Sequence, residues 1–189
     1  MNDTATRDRV VDAADRLFYL RGIQAVSMDE LREAAGIPLK RIYAEFPSKE
    51  AIVEAVLRHR TQVWSDGVQD AAARAHDSRG KLLAVYDFLA RWFTMSDFRG
   101  CVFINSFGEL GATSPSIARI VREQKASFQS YVAELVAEAG APSYLAPQLA
   151  LLAEGAQTTA AISGDASAAT HARAAAETLI DAALPALAA

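Results

Sequence analysis

Three basic side chains in the first third of the chain have the type and spacing to bind a polyanion. Lys40 and Arg41 fall on the outer face of a predicted short helix at 100° per residue, and Lys49 follows just after that helix. Residues 1–60 carry ten basic and ten acidic side chains, so the net charge of this region supplies no general attraction for nucleic acid. The three residues together could form the positive face that such binding requires.

The short helix that presents this face is predicted to begin at Pro38. Proline fits the first helical position because its missing N–H needs no partner there, and Pro47 ends the helix. The apolar positions, which must pack inward, are Leu39, Ile42 and Phe46.

A second short helix is predicted immediately before it. Ser27 and Glu30 have the spacing of a capping box, in which the serine oxygen accepts a backbone N–H and the glutamate reaches back to the cap. Gly36 supplies the positive φ with which a helix ends and the chain turns. Two short helices joined by so tight a turn indicate a helix-turn-helix.

The remainder of the chain also has helical periodicity, which predicts an all-α fold. Thr6 is expected to cap the first helix and Gly22 to end it, and Ser48 is expected to cap a fourth helix. From about Arg60 the composition shifts toward alanine, leucine and aromatic residues. We therefore expect an N-terminal domain of three or four helices in residues 1–59 and a larger α-helical domain in residues 60–189. Further helices are predicted at about 60–76, 81–95, 99–110, 115–139, 145–163 and 165–184.

Composition limits the class of protein. The chain has 189 residues, 51% of them hydrophobic and 22% charged, with a net charge of −4, which suits one or two domains with a substantial core. No apolar run is long enough to span a membrane, and residues 1–9 are too polar for a secretory signal. Cys101 is the only cysteine, which agrees with a reducing compartment. A cytoplasmic protein with no membrane association is the expectation.

No pattern in the sequence predicts catalysis or a cofactor. The chain lacks a GxSxG nucleophile motif, a P-loop and a GxGxxG loop. His59, His76 and His171 are far apart and lack metal-ligand spacing. We therefore expect neither an enzyme nor a metal site.

The N-terminal sixty residues resemble the tetracycline-repressor (TetR) family of bacterial transcriptional regulators. The resemblance is carried by Leu17-Phe18 near the end of the first helix, Gly22 followed by the Ser27 cap, the LxxAAGI segment of the second helix, and Ile42-Tyr43-x-x-Phe46-Pro47-Ser48-Lys49-Glu50. The C-terminal two-thirds resemble the family in helical architecture and in the local segments RGCVFIN and EGA…SGD. Family members usually have other residues where Pro38, Lys40 and Glu45 stand.

The resemblance implies a homodimer that binds a palindromic DNA operator and is released by a small-molecule effector. Lys40 and Arg41 can reach phosphates or guanine edges, Tyr43 can donate to a phosphate, and Lys49 with nearby backbone N–H groups can hold another. The operator contacts implied by the family pattern are Ser27, Met28, Lys40, Arg41, Tyr43 and Lys49.

Two further sets of residues are candidates within the C-terminal domain. An effector pocket would need apolar walls and a few polar anchors; the candidates are Trp64, Trp92, Phe93, Phe103, Asn105, Phe107, Glu109, Gln157 and Thr158. The last two helices are rich in alanine and are expected to form a four-helix bundle across the dimer axis. Its candidate interface residues are Leu149, Leu152, Ala156, Ala172, Ala175 and Leu179.

Two alternative functions remain open. The regulator could sense thiol chemistry through Cys101, provided that this thiol is exposed and its pKa is lowered by a neighbouring cation such as Arg99. The protein could also be an architectural DNA-binding protein that responds to no ligand. Such a protein would fill its C-terminal core completely, so a cavity among the aromatic residues would separate the two classes.

Overall fold

The fold is known from a computed structural model that describes residues 3–184. Within that range the chain forms nine α-helices and no strand, which confirms the all-α prediction. The helices are α1 (Asp3–Arg21), α2 (Met28–Ala35), α3 (Leu39–Glu45), α4 (Lys49–Ala73), α5 (Ser78–Phe93), α6 (Val102–Leu110), α7 (Pro115–Glu138), α8 (Leu145–Ser163) and α9 (Ser167–Ala183).

Four helix ends lie where the sequence predicts them. Gly22 follows α1 with a φ of 87°, and Gly36 ends α2 in the left-handed conformation. The hydroxyl of Ser48 accepts the N–H of Ala51 at the start of α4, and that of Ser114 accepts the N–H of Ile117 in α7. Side-chain oxygens therefore satisfy backbone donors that the first helical turns leave unpaired.

Three predictions about the helices were wrong in detail. Thr6 does not cap α1, because the helix begins at Asp3 and Thr6 is buried inside it. The fourth helix and the helix predicted at about 60–76 are one continuous helix, since α4 continues to Ala73 through a segment without proline. α3 begins at Leu39, one residue later than predicted, because Pro38 has an extended ψ of 141° and occupies the cap position.

The described residues pack as two compact units. The first comprises the described part of Met1–Gln62 together with Val102–Gln124, and the second comprises Val63–Cys101 and the described part of Lys125–Ala189. The segment 102–124, which contains α6 and the first part of α7, therefore packs with the N-terminal helices. The proposed domain boundary near residue 60 stays a prediction.

The core of the first unit holds the helix-turn-helix, α2 and α3, against α1. Leu31 of α2 and Ile42 of α3 are completely buried, as is Val10 of α1. Arg9 donates from its guanidinium to the carbonyl of Ala35 at 2.7 Å and so satisfies an acceptor at the end of α2.

The core of the second unit is built around α5, α8 and α9. Tyr86 is buried on α5, and its hydroxyl donates to the carbonyl of Leu149 on α8 at 2.8 Å. Burial raises the pKa of the Tyr86 hydroxyl well above its ordinary value, so Tyr86 stays a neutral donor. An aromatic cluster lies in the same unit, with ring centroids 4.8–6.0 Å apart; its members are Trp64, Phe88, Trp92, Phe93, Phe98 and Phe128.

None of the described helices is both long enough and apolar enough to cross a membrane.

Candidate nucleic-acid interface

The start of α2 is held by the predicted capping box, which the structure confirms. The N–H of Glu30 donates to the Ser27 hydroxyl at 3.2 Å, and the N–H of Ser27 donates to the Glu30 carboxylate at 2.8 Å. Arg21 forms an ion pair with the same carboxylate at 2.8 Å. Ser27, a predicted operator contact, is exposed but already uses its hydroxyl within the cap, and Met28 beside it is half-buried.

These contacts lower the pKa of the Glu30 carboxyl from 4.5 to about 2. The backbone hydrogen bond from Ser27 is the largest cause, followed by the hydrogen bond from Arg21. Because the folded-state pKa lies below the ordinary value, the ionised carboxylate stabilises the fold above about pH 4.5, and this contribution is lost as the pH falls toward 2.

The thermal stability of the protein should depend on pH through the Glu30 carboxyl. Glu30→Gln should melt at a lower temperature than the wild type at pH 6, and the difference should shrink between pH 4.5 and pH 2.5 as the wild-type carboxylate is protonated. Thermal unfolding of both proteins across this range measures it. Glu33→Gln, which removes another exposed glutamate from α2, is the matched control. A difference between wild type and Glu30→Gln that stays constant down to pH 2.5 would contradict the capping role.

α3 is the element that presents the predicted DNA-reading face. Ile42 is completely buried and Phe46, which follows the helix, is 1% exposed, so these two side chains fix α3 in the unit. On the outer side Lys40 is exposed and Tyr43 is 46% exposed, while Arg41 is half-buried. Lys40 and Tyr43 thus lie outward, as the helical spacing predicts, whereas Arg41 is less exposed than predicted. Their contacts with DNA stay a prediction.

Lys49, at the start of α4, has a different environment from the one expected of a phosphate ligand. Its ammonium donates to the backbone carbonyls of Ile23 and Val26, in the loop between α1 and α2. Burial lowers the pKa of Lys49, whereas the charges of Glu109 and Glu30 oppose this shift. Through these hydrogen bonds Lys49 connects the start of α4 to the loop that leads into α2.

Glu109 holds the same loop from α6. Its carboxylate accepts the N–H of Ile23 at 2.9 Å and the N–H of Gln24 at 2.8 Å, and the Gln24 side chain donates to the Glu109 carbonyl at 2.9 Å. The sequence pattern places Glu109 only among the candidate pocket residues. Since 86 positions separate it from Ile23, local periodicity contains no signal for this contact.

The candidate effector residues fall in both units. Phe103, Asn105, Phe107 and Glu109 belong to the first unit, where a cavity of about 10 Å³ touched by Asn105 and Glu109 has room for about one water molecule. In the second unit Trp64, Trp92 and Phe93 are part of the aromatic cluster, Gln157 is buried, and Thr158 is exposed.

A larger cavity, of about 350 Å³, lies within the second unit. Of the candidate residues only Phe93 lines it, beside Phe98, Arg99 and small residues at the end of α8. Pockets of about 300–1,000 Å³ are typical for small molecules.

The candidate residues for the dimer interface differ in how exposed they are. Leu149, Ala156 and Ala172 are 2%, 5% and 8% exposed because they pack inside the protomer, whereas Leu152 and Leu179 are partly buried and Ala175 is exposed. A different stripe of α8 faces outward, with Leu151 72% and Ile162 82% exposed. The sequence does not reveal this stripe because α8 is apolar around most of its circumference. Hydrophobic periodicity therefore does not show which face of α8 points outward.

Cys101 is 5% exposed. Its sulfur accepts a hydrogen bond from the Lys125 ammonium at 3.3 Å, and this ammonium also binds the Glu154 carboxylate at 2.8 Å. The cation beside the thiol is therefore a lysine of α7. The thiol-sensing alternative stays a prediction, and the burial of Cys101 does not favour it.

Comparison with known proteins agrees with this architecture. The family model for bacterial regulatory proteins of the tetR family matches residues 10–56, which contain the helix-turn-helix. The HTH-type transcriptional repressor ComR of Escherichia coli K12 is 28% identical over 151 residues, which are 75% of this chain and 68% of that protein. The HTH-type transcriptional regulator YjdC of the same organism is 28% identical over 154 residues, which are 79% of this chain and 80% of that protein.

A solved structure extends the likeness over nearly the whole chain. The crystal structure of a TetR-family transcriptional regulator from Streptomyces coelicolor superposes with a TM-score of 0.89 and covers 96% of this chain and 97% of that one. At 23% identity this likeness shows the fold. With the family model on the helix-turn-helix and relatives named as transcriptional regulators, the chain is similar to the TetR family of DNA-binding transcriptional regulators.

Proposed function

We propose that this protein is a homodimeric repressor that binds a palindromic operator and leaves it when a small-molecule effector binds. The observation that carries the proposal is the orientation of α3. Its buried residue Ile42 fixes the helix, while Lys40 and Tyr43 remain exposed to meet DNA. The similarity to ComR, a protein named as a repressor, supports repression as the mode of regulation.

The proposed operator contacts begin with the side chains of α3. Lys40 and Arg41 carry the positive charge, and Tyr43 offers a phenolic donor to a phosphate oxygen. Ser27 and Met28 at the start of α2 complete the surface with their backbone and side-chain atoms. Lys49 would contribute to DNA binding chiefly by stabilising the loop between α1 and α2, since its ammonium already donates to backbone carbonyls of that loop.

The proposed dimer interface uses the exposed stripe of α8. Leu151, Gly155, Thr158 and Ile162 are spaced by four, three and four residues and therefore lie on one helical face, and all four are exposed. A Cβ added to Gly155 would meet no atom within 4 Å, so the protomer itself does not require a glycine there. A small residue between two exposed apolar side chains lets a second helix approach closely.

The proposed effector site is the 350 Å³ cavity of the second unit. Phe93 and Phe98 give it an apolar wall, and Arg99 supplies a charged group at its edge. This cleft is large enough to hold a small-molecule effector.

Effector control can be tested by a screen that does not depend on the identity of the ligand. A small-molecule library is screened for compounds that raise the melting temperature of the wild type, since a ligand that binds the folded state stabilises it. We expect some of these compounds to release the protein from a duplex that it has selected from a random-sequence library. If every stabilising compound leaves the affinity for that duplex unchanged, effector control is refuted, because a regulatory ligand must bind the two states differently.

A further inference from the structure

The loop between α1 and α2, residues 22–27, has the geometry of an anion-binding site that is filled by a side chain of the protein itself. Gly22 has a φ of 87°, and the next two N–H groups, of Ile23 and Gln24, both donate to the Glu109 carboxylate. Successive N–H groups that point to one side form a concavity for an anion, often called a nest. Glycine suits residue 22 because of this φ, and a Cβ there would lie 3.2 Å from a Glu109 carboxylate oxygen, a close contact.

Two carbonyl groups of the loop also have a charged partner. Lys49 donates to the carbonyls of Ile23 and Val26 from the start of α4. A carboxylate of α6 and an ammonium of α4 thus bind the polar groups of one short loop, and hydrogen bonds to charged partners are stronger than those between neutral groups. The loop ends at the Ser27 cap, from which α2 and then α3 follow.

The carboxylate of Glu50 also connects the N-terminal helices with segment 102–124. Glu50, at the start of α4, accepts hydrogen bonds from the hydroxyls of Ser114 and Ser116, the latter at 2.8 Å. These hydrogen bonds lower the pKa of the Glu50 carboxyl. Segment 102–124 therefore contacts the loop before α2 at one end of the turn that links α6 to α7, and the start of α4 at the other end.

We propose that Glu109 is a positioning residue for operator recognition, which sets α2 and α3 by holding the N–H groups of Ile23 and Gln24. This inference rests on the proposed function. Glu109 itself contacts neither the operator nor the effector, so its loss should reduce discrimination between DNA sequences more than it reduces general DNA affinity.

The test compares four full-length proteins: wild type, Glu109→Ala, Glu109→Gln and Glu123→Ala. Glutamine keeps one acceptor oxygen and should give an intermediate result. Glu123 is an exposed glutamate of the same segment that pairs with Arg119 one turn away, which makes it the matched control. Amide hydrogen exchange follows residues 23 and 24, and binding is measured with a duplex selected by the wild type and with a scrambled duplex at the same salt concentration.

In Glu109→Ala, exchange at Ile23 and Gln24 should be at least about tenfold faster than in wild type. The ratio of the affinities for the selected and scrambled duplexes should fall about tenfold, with a smaller fall in Glu109→Gln and none in Glu123→Ala. A purely stabilising role would reduce the active fraction and leave that ratio unchanged, which would overturn the inference. Unchanged exchange at Ile23 and Gln24 would overturn it as well. If the wild type itself does not distinguish the two duplexes, the proposed function fails, and this inference fails with it.

Discussion

Lys40→Ala combined with Tyr43→Ala should lower the affinity for the operator by at least about a hundredfold. The two side chains are the most exposed of the α3 contacts, and a dimer would lose each of them twice. Hydrogen bonds to charged groups contribute about 1.5–3 kcal/mol each, so the loss of four phosphate contacts exceeds the 2.7 kcal/mol or so that a hundredfold change requires. The fold should be unaffected, because the buried anchor Ile42 is retained.

The salt dependence of DNA affinity distinguishes a loss of phosphate contacts from a general loss of DNA-binding activity. Each phosphate contact made by a cation contributes about 0.9 to the slope of log affinity against log salt concentration, so losing Lys40 from both protomers should reduce the slope by about 1.8. Titration of labelled duplex at several salt concentrations measures both quantities. Arg58→Ala, which removes an exposed cation from α4 that pairs with Glu54, is the control. An unchanged slope in the Lys40 and Tyr43 variant would contradict the assignment of Lys40 to a phosphate.

Leu151→Glu combined with Ile162→Glu should produce a folded monomer. Both side chains are largely exposed in the protomer, so the charges cost little stability there, whereas in the proposed dimer they would be buried against the partner. A monomer can hold only one half-site, and the loss of simultaneous binding should weaken operator affinity by about a hundredfold or more.

Sedimentation velocity and circular dichroism together test this second prediction. Val63→Glu places the same charge on another exposed apolar residue, 49% exposed on α4, and should remain dimeric. A double variant that sediments as a dimer would show that the α8 stripe is not the interface. Loss of helical signal would mean instead that the two side chains are needed inside the protomer, which their exposure argues against.

Local features of this chain were predictable from sequence because they depend on nearby residues. The capping box needs only Ser27 and Glu30, and the turn needs only the positive φ of Gly36. The outward positions of Lys40 and Tyr43 follow from helical spacing once Ile42 is assigned to the core. Of these residues, Ser27, Gly36, Ile42 and Tyr43 are also among those that carry the family resemblance.

Features that depend on contacts distant in sequence were not predictable in this way. The continuous α4 replaced two predicted helices, since a change in composition near Arg60 does not by itself break a helix. Lys49 has the charge of a phosphate ligand, yet backbone carbonyls 23 and 26 residues earlier bind its ammonium. The contact between Glu109 and the loop before α2 spans still more of the chain. The outward face of α8 was ambiguous because alanine suits a core and an interface equally well.

The sequence specificity of the wild-type protein tests the central claim most directly. A random-sequence duplex library is enriched with the purified protein, and the affinity of the selected duplex is compared with that of a scrambled duplex at one salt concentration. We predict that the selected site is an inverted repeat, bound at least about a thousandfold more tightly than the scrambled duplex. Equal affinity for the two duplexes, or enrichment of no sequence, would contradict operator recognition by this protein.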